Sequence, residues 1–374
     1  MNDDIRKLFP VTRKYIYLNH AAVSPLALPV VEAMHGIIKD VSDNGVVNYQ
    51  HWLKRYMEVR AMVAQLVNAR PEQITFMRNT SDGLSAIANG YDWRAGDNLV
   101  TCNVEFPANI YPWLRLKAEV GIEVRMAEER DTRIDIDEML SLVDERTRMI
   151  SISFVEFASG FRFDLARIGK FCREREILFV VDAIQGLGAL SLNVERDCID
   201  AFAADSHKWL LGTEGVGVFY ISDRALELIK PTVVGWMSVN DWENYLDYRL
   251  NYRPGALRFE CGTPNTVGIY GLGGALEMIL GVGIEKIESY LIELGDYLCE
   301  GLQSKGYTVV SSRRDGEKSA IICCAHQKHS PASLYHRLKA QNVICAPRCG
   351  RLRISPHFYN TKDEIDTLLD LLPE

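Results

Sequence analysis

The sequence lacks the features of several protein classes. Its 374 residues contain no run of about 18 apolar residues, so no membrane span is expected. The first ten residues, MNDDIRKLFP, are charged and lack the apolar core of a secretory signal. No block of basic residues occurs, and the formal net charge of −8 argues against nucleic acid as a partner. These absences predict a globular protein in the cytoplasm.

Paired-cysteine motifs and a complete dinucleotide loop are also missing. The nine cysteines are spread along the chain with no CxxC spacing, which favours reduced thiols and argues against both a disulfide framework and a zinc site. The glycine patterns QGLGAL and YGLGGAL do not give a full GxGxxG between a strand and a helix, so we expect no dinucleotide site there.

The chain is long enough for one large domain and one smaller domain. Short apolar runs alternate with amphipathic helical segments, a pattern typical of α/β folds with a parallel sheet. We expect a large domain with a mostly parallel central sheet at residues 15–255. A smaller α+β domain is expected at residues 256–374, with residues 1–14 packed on it. Its strands are predicted in YTVVSS, SAIICCAH and NVICAPR.

Two predicted strands end in chemically useful side chains. The apolar run at residues 177–181 leads to Asp182, and the run at residues 201–204 leads to Lys208. Open α/β folds place ligands at this edge of the sheet. An amine and a carboxylate there suit pyridoxal phosphate, since a lysine binds its aldehyde as a Schiff base and a carboxylate keeps its ring nitrogen protonated. Taken alone, Asp182 is equally typical of a turn and Lys208 of a solvated surface.

The residues around these two positions resemble a family signature. DAIQ, beginning at Asp182, and SHKW, containing Lys208, resemble the class V aminotransferases, and RFECGTPN, beginning at Arg258, is a second match. The family includes cysteine desulfurases, selenocysteine lyases, kynureninases and isopenicillin N epimerase-like enzymes. The resemblance covers most of the chain and implies the fold type I of pyridoxal-phosphate-dependent transferases.

The resemblance also implies how the cofactor ring would be held. Asp182 would pair with the ring nitrogen, Gln185 would donate to the ring hydroxyl, and Lys208 would form the Schiff base. Phe106 falls where the family places the side chain that stacks on the ring, a histidine in desulfurases and a phenylalanine in the kynureninase-like branch. Phe157 stands where desulfurases carry an asparagine.

The cofactor phosphate would be bound at the start of a helix. Thr80 and Ser81 lie at a predicted junction of strand and helix, where hydroxyls and free amides form an anion site. The resemblance adds His207 to this site, and it implies that Thr263 reaches the phosphate of a neighbouring subunit. A homodimer with shared active sites is therefore implied. Asp205 replaces a serine of many relatives, and an ionised carboxylate cannot donate to a phosphate.

Substrate contacts are implied at both ends of the chain. Arg353 aligns with the family arginine that grips the substrate α-carboxylate, a task that suits the planar guanidinium. Asn19, His20 and Ala21 match the segment that lies over the substrate. His20 is a candidate catalytic residue, although a capping or core histidine is an equal alternative. Arg162 is left open between a substrate carboxylate and Asp164.

The implied activity is pyridoxal-phosphate chemistry on an amino acid, through a substrate Schiff base and removal of the Cα proton by Lys208. Transamination, C–S β-elimination and epimerisation all remain open. Cysteine desulfurase or selenocysteine lyase activity is an alternative, but Cys349 is only four residues from Arg353 in a short loop, which disfavours persulfide transfer. A non-catalytic scaffold that binds the cofactor, or none, is the alternative of another class.

Overall fold

The structure is a computed structural model that describes residues 3–374, with side chains from residue 4 onward. Strands and helices alternate over the first two thirds of the chain, as the sequence predicts. Over the described residues the strands are β1 (Ile16–Tyr17), β2 (Ile74–Met77), β3 (Asn98–Cys102), β4 (Glu123–Ala127), β5 (Glu129–Arg130), β6 (Arg133–Ile134), β7 (Thr147–Ser153), β8 (Leu178–Asp182), β9 (Ala201–Asp205), β10 (Gly217–Ile221), β11 (Thr308–Val309), β12 (Ile322–Ala325), β13 (Val343–Ile344), β14 (Ala346–Arg348) and β15 (Arg351–Ile354).

Side-chain caps fix where many helices begin. Asn79 accepts a hydrogen bond from the Asp82 amide, and Asp164 accepts one from the Arg167 amide. The helices of residues 3–374 are α1 (Asp3–Arg6), α2 (Leu28–Asn44), α3 (Tyr49–Val67), α4 (Thr80–Gly90), α5 (Tyr111–Glu119), α6 (Ile136–Ser141), α7 (Leu165–Glu174), α8 (Asp223–Leu228), α9 (Thr266–Val282), α10 (Ile284–Ser304), α11 (Pro331–Ala340) and α12 (Lys362–Leu371). Short 3₁₀ helices lie at Pro10–Arg13, Pro71–Gln73, Pro107–Asn109 and Gly255–Phe259.

A seven-stranded sheet forms the centre, in the order β2-β10-β9-β8-β7-β3-β4. Strand β10 is antiparallel to both neighbours, and the other neighbouring pairs are parallel. All of β8 is buried, and its alternate residues enter two different apolar clusters, which cover opposite faces of the sheet. The predicted mostly parallel α/β sheet is therefore confirmed.

A smaller antiparallel sheet lies near the C-terminus, in the order β11-β12-β15-β14. The predicted strand in NVICAPR is in fact two short strands, β13 and β14, and β13 pairs in parallel with β1 from the other end of the chain. Strand β15 was missed, because its alternate residues Arg351 and Arg353 obscure the apolar pattern in the sequence. A third apolar cluster fills the space between this sheet and the helices beside it.

The lead-in segment contacts the C-terminal residues. The Phe9 and Tyr359 rings stack with centroids 3.8 Å apart, and Arg6 forms an ion pair of 2.7 Å with Glu364. Helix α9, which follows residue 256, packs against α2 and α3. The boundary expected at residue 255 stays a prediction, and residues 1 and 2 of the lead-in lie outside the described part of the chain.

Two further expectations can be compared with the structure. All nine cysteines are unpaired. Among residues 3–374, no single helix is long and apolar enough to cross a membrane; α9 and α10 meet that test only when taken together, and they join at a bend of 78°.

The turn after β8 lies against the backbone that follows Lys208. Gly188 has a φ of +100°, and a Cβ at this position would lie 2.4 Å from the carbonyl oxygen of Trp209, the residue after Lys208. Glycine is therefore required at position 188 for two reasons: the positive φ of the backbone and the lack of space for a Cβ. The close approach fixes Lys208 relative to the end of β8.

We predict that Gly188→Ala lowers the free energy of unfolding by about 3 kcal/mol, because it adds backbone strain to a clash with Trp209. Denaturant midpoints measured by circular dichroism will test this. The control is Gly281→Ala in α9, where a Cβ would meet nothing within 4 Å; it should leave the midpoint unchanged or raise it slightly. Equal midpoints for the two variants would contradict the proposed constraint at residue 188.

Candidate active site

Asp182 and Lys208 meet at one edge of the central sheet. Asp182 is the last residue of β8 and pairs with Ala203 in β9, and Lys208 follows the end of β9 by three residues. The Asp182 side chain is 1% exposed and that of Lys208 is 9% exposed. The two groups interact electrostatically, each favouring the charged form of the other. The structure therefore brings together the acid and the amine that the sequence predicts.

One oxygen of Asp182 is free for a ligand. Its Oδ1 accepts a hydrogen bond of 3.1 Å from the Ile184 amide, whereas its buried Oδ2 has no partner within residues 3–374. Burial raises the Asp182 pKa to about 6, and the Ile184 amide and Lys208 oppose that rise. An unpaired buried acceptor is unfavourable unless a donor reaches it. A protonated pyridine nitrogen is a donor of the required kind.

The Lys208 amine lies beside an aromatic ring and among charges of both signs. Its Nζ is 5.6 Å from the centroid of the Phe106 ring, which is 43% exposed. Burial lowers the Lys208 pKa to about 8; Asp182 opposes this shift, whereas the Arg353 cation adds to it. The amine is thus much closer to neutrality than an ordinary lysine, as a nucleophile or general base requires.

Phe106 and Phe157 form an aromatic wall beside the amine. Their ring centroids are 5.2 Å apart and their planes are nearly perpendicular. The carbonyl oxygen of Phe157 accepts a hydrogen bond of 3.0 Å from Arg353 Nη1. Phe157 therefore connects the ring wall to the arginine predicted to bind the substrate.

Arg353 is buried on β15, and its guanidinium keeps N–H donors that have no partner within residues 3–374. It is 2% exposed, and its Nε has no hydrogen-bond partner in the described chain. Burial lowers its pKa to about 10, which still leaves it cationic at neutral pH. A cation with free donors, close enough to influence Lys208, suits a substrate carboxylate.

The start of α4 meets the end of β9. Thr80 is the first residue of α4, and its Oγ1 accepts a hydrogen bond of 2.9 Å from the Asp205 amide, leaving the hydroxyl proton free. Ser81 follows it and is exposed. His207 Nδ1 lies 3.2 Å from an Asp205 carboxylate oxygen but makes no hydrogen bond with residues 3–374. The structure therefore brings Thr80 and His207 to the same strand end at Asp205, and the phosphate site there stays a prediction.

Gln185 connects the backbone at Ala21 with the side chain of Trp209, the residue after Lys208. Its Nε2 donates to the Ala21 carbonyl at 3.1 Å, and its Oε1 accepts from the Trp209 indole at 3.0 Å. One N–H of the amide remains for the predicted ring hydroxyl. Ala21 is held through its backbone, and the buried Oδ1 of Asn19 has no partner among the described residues.

The geometry gives His20 a structural role. Its Nδ1 lies 2.8 Å from the Ser355 carbonyl oxygen and its Nε2 lies 2.8 Å from the Tyr359 hydroxyl. Burial, reinforced by His357, holds the His20 pKa well below its usual value. Both ring nitrogens are thus occupied, which favours the core-histidine alternative over proton transfer to a substrate.

Arg162 and Thr263 lie apart from this group. Arg162 does not pair with Asp164 as one alternative expected, because it forms an ion pair of 2.6 Å with Glu288. Thr263 is exposed on a separate cleft of about 280 Å³ whose lining includes Arg78 and Gly262 but none of the residues at the Lys208 site. Its predicted contact with a partner subunit stays a prediction.

Sequence reasoning missed three buried groups next to Asp182. Cys102, Glu105 and Glu156 have side-chain ligand atoms within 4.8 Å of one another. The signal that could have found them is a glutamate inside an apolar run, as in SISFVEF, directly after a predicted strand.

Comparisons with known proteins agree with this arrangement. A family model described as Aminotransferase class-V matches residues 16–368. A probable cysteine desulfurase of Pyrococcus abyssi is 30% identical, over 100% of this chain and 97% of the relative. An apo structure of a cysteine desulfurase from Thermococcus onnurineus superposes with a TM-score of 0.90 at 26% identity, covering 99% of this chain and 97% of the other. A cystine C–S lyase in complex with cysteine persulfide shares the fold, with a TM-score of 0.89 at 24% identity and coverage of 97% and 98%.

We predict that the rate at which the apoprotein captures pyridoxal phosphate rises with pH and levels off above about 8, because the Lys208 amine must be neutral to attack the aldehyde. Asp182→Asn should move the plateau to lower pH, since it removes the charge that opposes the lowering of the Lys208 pKa. Stopped-flow absorbance measures the rate.

The control for this experiment is Asp137→Asn, an exposed position on α6 that should not move the curve. A rate that still rises toward pH of about 10, as for an ordinary lysine, would show that the amine is not perturbed.

Proposed function

The chain belongs to the class-V aminotransferase family, and we propose that within it this protein cleaves the Cβ–S bond of cysteine or a cysteine derivative by β-elimination. The family is dependent on pyridoxal phosphate, and the chain is an enzyme that acts on an amino acid. The choice of bond is the proposal.

One observation carries the proposal, the joint burial of Lys208, Asp182 and Arg353. A general base with a pKa of about 8 lies within the electrostatic influence of both the acid and the carboxylate anchor. Removal of a Cα proton needs these three elements together. A non-catalytic scaffold would have no use for an amine held so close to neutrality.

The residues present fit pyridoxal phosphate. The free Oδ2 of Asp182 fits the ring nitrogen, Phe106 fits the ring face, and Thr80 with His207 fits the phosphate. When bound, the cofactor supplies an electron-withdrawing ring that stabilises negative charge at the substrate Cα.

The chain's own residues then position the substrate and move its proton. Arg353 binds the α-carboxylate through its free donors. With the cofactor bound, the Lys208 amine would take the substrate Cα proton as a general base. Phe106 borders this space beside the amine, and Phe157 connects it to Arg353.

The relatives give the reason for proposing a sulfur-containing substrate. Similar chains that match over nearly their full length are named as cysteine desulfurases, so cysteine or a derivative is the substrate class we favour. β-Elimination needs only the base, the anchor and the cofactor. The released sulfur then leaves without a protein thiol.

Cysteine desulfurase activity is the second candidate, and Cys349 is the residue that favours it. The thiol is exposed and acts electrostatically on Arg353. However, Cys349 and Gly350 form the two-residue turn between Arg348 and Arg351, and both have positive φ, as in a type I′ turn. Such a tight hairpin is too short to let the thiol move toward the substrate sulfur. Direct release is therefore preferred over persulfide transfer.

We predict that the purified protein absorbs near the visible edge and releases sulfide and pyruvate from cysteine or a derivative. Cys349→Ala should leave this activity roughly unchanged, because the thiol has no part in elimination. Lys208→Ala should lose the absorbance band and at least about 10²-fold in rate. Sulfide and pyruvate assays across a set of amino acids, with absorbance spectra, provide the test.

Two results would reject elimination. Loss of sulfur release in Cys349→Ala, with the spectrum unchanged, would establish the desulfurase alternative. Conversion of the cofactor to its amine form by every active substrate, with no sulfide, would instead establish an aminotransferase.

We also propose that the protein is a homodimer. An aromatic-rich segment at residues 233–250 exposes large apolar side chains, and Val46 and Val47 are similarly exposed. The two regions adjoin, since Tyr245 influences the pKa of Tyr49 just after Val47. The apolar residues concerned are Val46, Val47, Val233, Val234, Trp236, Tyr245, Leu246, Tyr248 and Leu250. Exposed apolar side chains in two adjoining regions support burial against a second copy. The cytoplasmic location expected from the composition remains a further proposal.

We predict that Leu246→Asp, at a residue 83% exposed, converts the dimer to a monomer, because a charge cannot be buried unpaired in an apolar interface. Size-exclusion chromatography with light scattering measures the mass. Leu228→Asp, on α8 and also exposed, is the control and should stay dimeric. A monomeric wild-type chain, or a dimeric Leu246→Asp variant, would refute the assignment of this patch.

A further inference from the structure

A buried acidic layer, defined as Cys102, Glu105 and Glu156, lies beside Asp182. Cys102 ends β3, Glu105 follows three residues later, and Glu156 follows β7. Glu156 is 1% exposed and Glu105 is 7% exposed. None of the chemistry described above uses these groups.

The contacts within the layer differ between the two glutamates. Glu105 accepts two hydrogen bonds of 2.6 Å from Ser153, one from its amide and one from its hydroxyl. Glu156 Oε1 accepts only from the Cys102 thiol, at 3.2 Å, and Glu156 Oε2 is buried without a partner in the described chain. A thiol is a weak donor. Glu156 is therefore the carboxyl group that is least able to hold a negative charge.

The charged groups that act most strongly on Glu156 are acidic, although Arg353 and Arg351 donate to the carbonyls of the next two residues. Glu156 faces Glu105, Asp182 and Glu129 as well as the Cys102 thiol. Glu129 has Arg351 at 3.9 Å, and Asp182 has Lys208, whereas no ion pair within residues 3–374 involves Glu105 or Glu156. Burial, followed by the charge of Glu105, raises the Glu156 pKa well above its usual value, and burial raises the Glu105 pKa to about 7.

We propose that Glu156 is a positioning residue for Asp182: it carries a proton in the folded protein, so that Asp182 is the carboxylate that ionises and faces Lys208. Neighbouring carboxyl groups in a space without water cannot all be charged. A neutral Glu156 removes the repulsion that would otherwise drive a proton onto Asp182. The inference rests on the proposed function in one respect only, namely the purpose that the charge on Asp182 serves.

A proton on Glu156 fits this layer better than a metal ion. Thiol and carboxylate are ligand types for a cation. Both Glu105 oxygens are already engaged by Ser153, however, which leaves Glu156 and the protonated thiol as the remaining ligands. Burial and the two glutamates raise the Cys102 pKa well above its usual value, so the thiolate that a metal needs is disfavoured.

The sign of the pH dependence follows from proton uptake on folding. Glu156 is protonated in the folded chain but ionises with a pKa of about 4.3 when unfolded. Its contribution to stability is complete below that value and is lost as the pH rises toward the folded pKa. Glu105 adds to the same loss up to a pH of about 7.

The first test compares the full-length apoprotein with Glu156→Gln. The melting temperature of the wild type should fall as the pH rises above about 4.3, and the fall should be less steep in the variant, which has no proton to lose. The control, Glu364→Gln, removes a buried glutamate that is paired with Arg6 at 2.7 Å. It should lower the melting temperature without flattening the curve. Parallel curves for wild type and Glu156→Gln would overturn the proposal.

The second test does not depend on stability. Infrared spectra of the wild type, recorded above the Glu105 pKa of about 7 so that Glu105 is ionised, should contain the C=O band of a buried protonated carboxyl group, which lies above the carboxylate bands. The band should persist in Glu105→Gln and disappear in Glu156→Gln. Its absence from the wild type would overturn the proposal, even if Glu156→Gln failed to fold.

The two proposals fail separately in this design. Failure of the protein to bind pyridoxal phosphate while the infrared band is present would reject the proposed function and leave the protonated Glu156 intact. Cofactor binding without the band would reject the role of Glu156 alone.

Discussion

The attraction between Asp182 and Lys208, in a space removed from water, is the constraint on which the site depends. Burial works against both charges, since it raises the Asp182 pKa to about 6 and lowers the Lys208 pKa to about 8. Each charged form persists because the other is close. The interval in which both are ionised is consequently narrow, and it includes neutral pH. Any shift in the register of β8 against β9 would change the separation of the two groups and move that interval.

The fold achieves this proximity with parallel strands whose carboxyl ends share one edge. Ser153, Asp182 and Ala203 lie in register across β7, β8 and β9. The end of each strand can therefore deliver a different group to the same place. The strand ends place the acids Glu105 and Glu156 beside Asp182, as well as the base Lys208. The site therefore also needs a way to keep these additional carboxyl groups uncharged. A proton on Glu156, as proposed above, meets that need, because no ion pair within the described residues neutralises this glutamate.

A structural feature could be predicted from the sequence only where neighbouring residues in the chain determine it. Short apolar runs ending at Asp182 and before Lys208 predict the sheet edge, because the burial of β8 and β9 follows from their own residues. Arg353 came from family resemblance alone, and the strand that carries it was missed. The partners of His20 are Ser355 and Tyr359, more than 330 residues away, and Arg162 finds Glu288 instead of Asp164. Tertiary pairings of this kind leave no pattern within a short window of sequence.

The substrate itself completes the electrostatics of the base. Arg353 lowers the Lys208 pKa, since two cations in one buried space repel. A carboxylate bound to Arg353 cancels that repulsion, so the amine becomes a stronger base when an amino acid occupies the site. A ligand without a carboxylate would leave the amine weaker and the Arg353 donors unsatisfied. If the proposed role of Arg353 holds, selection for an α-carboxylate is expressed in proton transfer as well as in binding, and both effects arise from one buried guanidinium on β15.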